Sequence, residues 1–171
     1  NLLDQIADLK QDAVIPPEAN GMPHRGSLTV TVPGTVDGWF KVHERFGKLT
    51  MKAVLAPAIR YAQEGFPITP IIAHYFEHNY RAFLEQTRLI EELDNALSLW
   101  YPGGQVPDAG QIFHNPALAN TLSLLAEKGS GEFYAGSLAR KMDAYFRRIG
   151  ADMRYEDLSN HEGEWVEPAG V

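Results

Sequence analysis

Cysteine is absent from the 171 residues, which excludes disulfides, thiolate metal ligands and a cysteine nucleophile. That absence marks no compartment, so localisation stays open between cytoplasm, periplasm and secretion. Basic clusters are lacking as well: 15 Lys and Arg stand against 22 Asp and Glu, for a net charge of −7. Binding nucleic acid by counterion release needs grouped cations, so no nucleic-acid partner is expected. Long apolar runs are missing too. The longest charge-free stretch, Ala109 to Ala126, holds Gln111, His114, Asn115, Pro116 and Asn120, a set that a bilayer core does not tolerate in a spanning helix. No membrane segment is expected. With 44% hydrophobic and 22% charged residues, what remains is an ordinary globular composition, in a chain long enough to bury a core.

The first residues, Asn1-Leu2-Leu3-Asp4, include neither an initiator Met nor a basic-then-apolar leader. The last, Glu167-Pro168-Ala169-Gly170-Val171, stand where a strand or turn is starting. A piece of a longer polypeptide is the expectation.

Hydrophobic spacing gives a mainly helical reading. Leu2, Leu3, Ile6 and Leu9 recur at helical intervals, and Ile15-Pro16-Pro17 with Gly21-Met22-Pro23 then form a long connection. Ser27 to Val32 alternates polar and apolar residues over β-branched side chains and closes at Pro33-Gly34, so it is expected to be a strand. Thr35, Thr50, Thr69 and Asn115 stand where helix N-caps belong, the last two followed by Pro70 and Pro116 at the first helical position. Gly47, Gly65 and Gly129 are placed as helix stops, and Pro57 is expected to bend the helix that contains it. Thr87 to Leu99 is less regular, and Tyr101 to Gly110 is rich in turn residues. A final long helix is expected over Ser137 to Ile149, with one extra turn at Tyr155 to Leu158.

Few residues suggest chemistry by themselves. His74 and His78 share a helix face with Glu77 between them, but a zincin helix needs Glu directly after the first His, where Tyr75 stands. Gly129-Ser130-Gly131 with Gly136 has the wrong spacing for a phosphate loop and no preceding strand; a helix cap explains it. Asp152, Glu156 and Asp157 are more cheaply read as acidic residues around the first turn of a helix than as a catalytic pair. Ser137 and Ser159 lack a nucleophile elbow, and His24, His43, His114 and His161 have no recognisable partner order. Trp39, Phe40 and Phe46 fall on one helix face, and aromatics at that spacing are usually core.

Several segments together resemble a known family. Leu28 to Trp39, with Val32-Pro33-Gly34 at its centre and Asp37-Gly38-Trp39 at its end, is similar to the γ-glutamyltranspeptidase segment in which a short strand enters a helix. His43 to Leu49 and Leu55 to Ile68 resemble the next two family segments in order. Asn115 to Leu122, Gly131 to Gly136 and Glu156 to Leu158 resemble three more, and Glu167-Pro168 resembles the start of a following strand. Arg88 to Gly110 carries no match. The residues implied as scaffold are Val32, Pro33, Gly34, Gly38, Trp39, Gly47, Pro57, Gly65, Phe133, Tyr134, Gly136, Asp157 and Leu158.

The resemblance implies a mainly α helical lobe with one short strand, belonging to the large subunit of an N-terminal nucleophile hydrolase of αββα type. Residues 1–26 would be an N-terminal helix and linker, and 27–171 the lobe. In that family a precursor cleaves itself, and a threonine becomes the N-terminus of the small subunit. This threonine attacks the γ-glutamyl amide with its own α-amine as base, and the acyl group passes to water or to an amino acid or peptide. The chain contains no Thr-Thr-His run, Asn1 cannot be the nucleophile, and Arg25 lies outside any motif for the arginine that grips the substrate. No catalytic, cofactor-binding or metal-binding residue is therefore carried over, and no cofactor is implied. The implied partners are the remainder of the large subunit, the small catalytic subunit and a γ-glutamyl substrate of glutathione type. The alternative is an independent helical interaction module without catalysis.

Overall fold

A computed structural model describes residues 26–85, 87 and 90–170. The helix expected over Leu2 to Leu9, together with His24 and Arg25, lies outside these residues. Of the four expected caps, Thr50, Thr69 and Asn115 act where the sequence puts them and Thr35 does not. Helix α1, Thr35–Phe46, starts behind Gly34 rather than Thr35. Helix α2, Met51–Glu64, is capped by Thr50, whose hydroxyl accepts the Ala53 N–H at 3.2 Å, and it runs through Pro57 without interruption. A short strand β1, Phe66–Pro67, follows at once. Helix α3, Pro70–Glu85, opens with the Thr69 hydroxyl accepting the Ile72 N–H at 3.3 Å. The irregular stretch before residue 100 contains one more helix, α4, Leu93–Trp100.

Strand β2, Ile112–Phe113, then returns antiparallel to β1, with Phe66 opposite Phe113 and Pro67 opposite Ile112. Gly65 carries φ of +89°, and a β-carbon there would collide with the Ile112 side chain, so the turn from α2 into the ladder requires glycine. The Asn115 carboxamide oxygen accepts the Leu118 N–H at 3.0 Å and opens α5, Pro116–Lys128. Three further helices complete the described chain: α6, Gly131–Tyr134, α7, Ser137–Arg148, and α8, Tyr155–Ser159.

The strand expected over Ser27 to Val32 is not formed. Ser27–Thr29 is instead a single 3-10 turn, and no ladder partner lies beside Val30 to Val32 among the described residues. The backbone polar groups that a strand would share with a neighbour are used elsewhere. The Val30 N–H donates to the Ser27 carbonyl at 3.1 Å, the Thr29 hydroxyl to the Gly26 carbonyl at 2.9 Å, and the Ser27 N–H to the Glu91 carboxylate at 3.1 Å.

The apolar faces meet in three clusters. The first joins α1, α2, α5 and α6 through Val36, Leu55, Leu122, Leu125 and Tyr134. Its main element is the packing of α2 on α5. The second is aromatic: Leu93, Leu97 and Tyr101 pack against Phe76, Tyr80 and Phe83 of α3. The third gathers Ala139, Met153 and Leu158 under α7 and α8, and Val32 touches it as well as the first. Phe113 lies beside the second cluster, its ring stacking on Trp100 at 5.7 Å and meeting Phe76 at 5.5 Å, and just after it the Asn115 N–H donates to the Ala62 carbonyl of α2 at 2.8 Å.

Helix α7 has no cap of its own. Glu132 serves it from the preceding helix: one carboxylate oxygen accepts the Ser137 N–H at 3.0 Å and also the Ser137 hydroxyl. Lys128 stands 3.8 Å from the other oxygen. The Ser137 hydroxyl bond, against an opposing contribution from burial and with help from the Ser137 amide and Lys128, holds this carboxyl below its ordinary range.

Two outcomes are expected for the 171-residue chain. Leu125→Ala, at a site only 1% exposed, should lower stability by about 3 kcal/mol, whereas Leu49→Ala at the exposed α1–α2 loop should change it by less than about 0.5 kcal/mol. Thermal unfolding of both variants checks this. Because Glu132 is depressed in the folded chain, its stabilising contribution is complete above the unfolded carboxyl value of 4.5 and fades as pH falls below it. Denaturant titrations from pH 6 to pH 3.5 should show a loss in the native chain that Glu132→Gln makes smaller; an unchanged slope refutes the capping role.

Candidate functional site

Two of the segments that carry the family resemblance meet at one residue. Tyr134, 7% exposed, donates its hydroxyl hydrogen to the Pro33 carbonyl at 2.6 Å. The same oxygen accepts the Asp37 N–H at 3.0 Å. That N–H is one of the unpaired donors in the first turn of α1, where Gly34 offers no side chain. A tyrosine 97 residues away in sequence therefore does the work of a local cap. Burial pushes the Tyr134 hydroxyl above its ordinary value, which keeps it protonated and able to donate.

The stretch after α8 returns to the same corner. His161 stacks on the Tyr134 ring, with centroids 5.0 Å apart and planes 25° apart. Two residues on, the Gly163 N–H donates to the Asp37 carboxylate at 2.9 Å. Trp165 then meets Phe46 edge-on at 6.0 Å, and the Arg45 guanidinium lies 4.6 Å from the Trp165 ring centre. Residues 160–165 thus form a strap along α1.

A second set of contacts joins the last two motif segments. The Tyr155 hydroxyl donates to the Ala135 carbonyl at 2.9 Å, and its amide donates to Asp143 at 3.0 Å. The Asp157 carboxylate accepts the Arg154 N–H at 2.8 Å and so closes the first turn of α8. Leu158 is wholly buried in the third cluster, beside Val32. Phe133 packs on the first cluster and lies edge-on to Tyr134. A β-carbon at Gly136 would lie 2.6 Å from the Glu132 Cα, so the close approach that lets Glu132 reach Ser137 requires glycine.

Other residues of the set differ in kind. Gly47 ends α1, and the imidazole of His43 pins the following loop through a 2.7 Å bond to the Leu49 carbonyl. Gly34 has ordinary helical φ of −78°, and a β-carbon there would make only ordinary contact with His161. Space around Gly38 is open, and Trp39 is 45% exposed. Nothing inside the described residues explains why glycine occupies positions 34 and 38.

The candidates weighed for chemistry are dispersed. His74 and His78 lie on the exposed face of α3, and Glu77 pairs with Arg81. Among the described residues no three His, Asp or Glu side chains stand close enough to share a metal ion. Asp152 and Glu156 are exposed, while Ser137 is committed to Glu132 and the Ser159 hydroxyl donates to the Glu156 carbonyl. His114 accompanies the Gln63 carbonyl at 3.3 Å. Of the three aromatics on α1, only Phe40 packs on the core; Trp39 and Phe46 face outward. Sequence reasoning missed Asp37, Glu132 and Tyr155 as tying residues. Their partners are distant or lie across a turn, and only the Glu132–Ser137 spacing offered a local signal. Among the described residues no helix is long and apolar enough to cross a membrane.

A family model described as Gamma-glutamyltranspeptidase matches residues 7–171. The chain is 34% identical over 150 residues to the glutathione hydrolase-like YwrD proenzyme of Bacillus subtilis, across 87% of this chain and 27% of that protein. It is 33% identical over 146 residues to the glutathione hydrolase proenzyme of Pseudomonas aeruginosa, across 85% of this chain and 24% of that protein. Among solved structures, the cephalosporin acylase from Bacillus halodurans superposes with a TM-score of 0.83 at 33% identity, over 97% of this chain and 30% of that one. The chain spans about a quarter of the length of these curated relatives. Matched by the family model over nearly all its length, the chain belongs to the gamma-glutamyltranspeptidase family.

Proposed function

We propose that residues 27–171 are a scaffold lobe in the large subunit of a γ-glutamyltranspeptidase-like proenzyme. The parent protein transfers or hydrolyses γ-glutamyl groups of glutathione-type substrates. Its nucleophile is a threonine freed by self-cleavage at the start of a small subunit, outside these 171 residues. That small subunit and the remainder of the large one are the partners of the lobe. An N-terminal threonine suits the chemistry because its own α-amine takes the hydroxyl proton during attack on the amide carbon.

The observation that carries the reading is the use made of the motif residues. Tyr134 spends its hydroxyl on the approach to α1 and its first turn, Asp37 its carboxylate on the Gly163 amide, and Asp157 its carboxylate on the start of α8, while Val32 and Leu158 pack in the core. Groups engaged in this way hold backbone in place, the role expected of a scaffold rather than of a nucleophile or base. Support also comes from the relatives, two of which are named as proenzymes of glutathione hydrolase type while the chain matches about a quarter of each.

The 171-residue chain should release no product above blank from a chromogenic γ-glutamyl anilide, and the reading frame beyond Val171 should encode a Thr-Thr-His-type processing site. Turnover by the isolated chain would overturn the assignment of the nucleophile; a frame without that site would overturn the parent activity. Tyr134→Phe leaves the Asp37 N–H and the Pro33 carbonyl without their partner, so the 171-residue chain should lose about 2 kcal/mol of stability. Tyr75→Phe, at a residue 56% exposed, should be neutral. In the processed parent, Tyr134→Phe should leave KM for the anilide within about threefold of the native value. A larger change in KM assigns Tyr134 to substrate binding and removes its scaffold role.

A further inference from the structure

Helix α1 has two apolar faces. Val36 and Phe40 turn into the first core cluster, while Trp39, Val42 and Phe46 are 45%, 51% and 63% exposed. The outward face of α2 adds Val54, which is 49% exposed, and α5 adds Leu118, which is 44% exposed. Together these side chains line an open groove of about 840 Å³ between α1 and α2, with the start of α5 as its floor. No Asp, Glu, Lys or Arg lines it. Its imidazole, that of His43, is already bonded to the Leu49 carbonyl.

A helix with apolar residues on every side is one buried on every side, and an exposed apolar patch of this extent marks an interface. The side chains of two neighbouring helices leave a groove that takes the ridge of a third. We propose that this groove is filled by an apolar helix of the same parent polypeptide, from the part lying outside residues 1–171. The proposal rests on the reading of the chain as one portion of a larger enzyme. Three observations support that occupant over a separate protein or a small ligand. Curated relatives run about four times the length that the chain matches, so a large body of polypeptide has to be placed against the lobe. The rim already receives the chain's own strap, since Trp165 packs on Phe46 beside Arg45. A lining without charged side chains and made mostly of hydrocarbon suits apolar side chains rather than a charged substrate.

The lack of cysteine supplies the test. Val54→Cys or Leu118→Cys places a single thiol in the groove of the 171-residue chain, and Glu127→Cys places one on the exposed side of α5 as reference. Maleimide labelling of each is followed by peptide mass spectrometry in this chain and in the full-length parent, every rate being normalised to that of the denatured protein. The groove thiols should label as fast as the reference in the 171-residue chain, and at least about tenfold more slowly in the parent, where labelling awaits local opening. Equal rates in chain and parent overturn the proposal. Protection that grows with concentration of the 171-residue chain assigns the groove to a second copy and overturns it as well. Slow labelling at every concentration assigns it to the chain's own residues and has the same effect. Anilide turnover by the parent separates the two readings. An active parent with freely labelled groove thiols removes this inference alone, whereas protected thiols in a parent without a Thr-Thr-His site remove the enzymatic reading and leave the docking intact.

Discussion

The hydroxyl of Tyr134 makes two hydrogen bonds that no local signal could arrange, and the corner they form orders much of the lobe. Donation to Pro33 fixes how the chain arrives at α1, and acceptance from Asp37 supplies the missing cap of that helix. Both partners are backbone groups in a half-buried setting, where an unmade bond costs more than a made one contributes. The ring attached to that hydroxyl belongs to the first core cluster, so apolar packing and polar satisfaction are joined in one side chain. With His161 lying on its other face, Tyr134 connects three stretches of chain that share no regular secondary structure.

Around that corner the lobe is built from helix pairs, with hydrogen bonds specifying the joints. The α2–α5 pair supplies the largest helix–helix contact, the aromatic cluster seats α3 against α4, and the two-residue ladder between β1 and β2 fastens one to the other. Glu132 carries the same logic into α7, where a buried carboxylate replaces a cap that the sequence of the helix does not offer. The Tyr134 and Glu132 contacts each join a side chain to backbone at the start of a helix.

Much of this was legible in the sequence where the cause is local. Thr50, Thr69 and Asn115 begin helices because a side-chain oxygen reaches an amide three residues on, a geometry visible in any short window. Gly65 and Gly129 end helices at positive φ, again within one turn. The misread element was Ser27 to Val32, whose alternation suits a strand but whose amides and hydroxyls find Gly26, Ser27 and Glu91 instead of a neighbouring strand. The true ladder joins two-residue strands far apart in sequence, with Phe66 opposite Phe113, too short to leave a periodic trace. Family resemblance picked out Pro33 and Tyr134 separately, without indicating that they touch. Positions 34 and 38 stay unexplained by contacts inside the described residues, while the outward face of α1 was read as core because spacing alone cannot tell one apolar side of a helix from two.

The strap that returns from α8 has a geometric consequence for how such a lobe relates to the rest of a protein. Pro33 and Asp37 on the incoming side, and His161 and Gly163 on the outgoing side, meet around a single aromatic ring. Everything between them is an excursion that leaves and rejoins at one point. Excursions with adjacent stems can lengthen, shorten or exchange helices without moving what lies beyond the stems, as inserted domains do. Variation in the α3–α4 region, where no family segment was recognised, is the kind of change this arrangement absorbs.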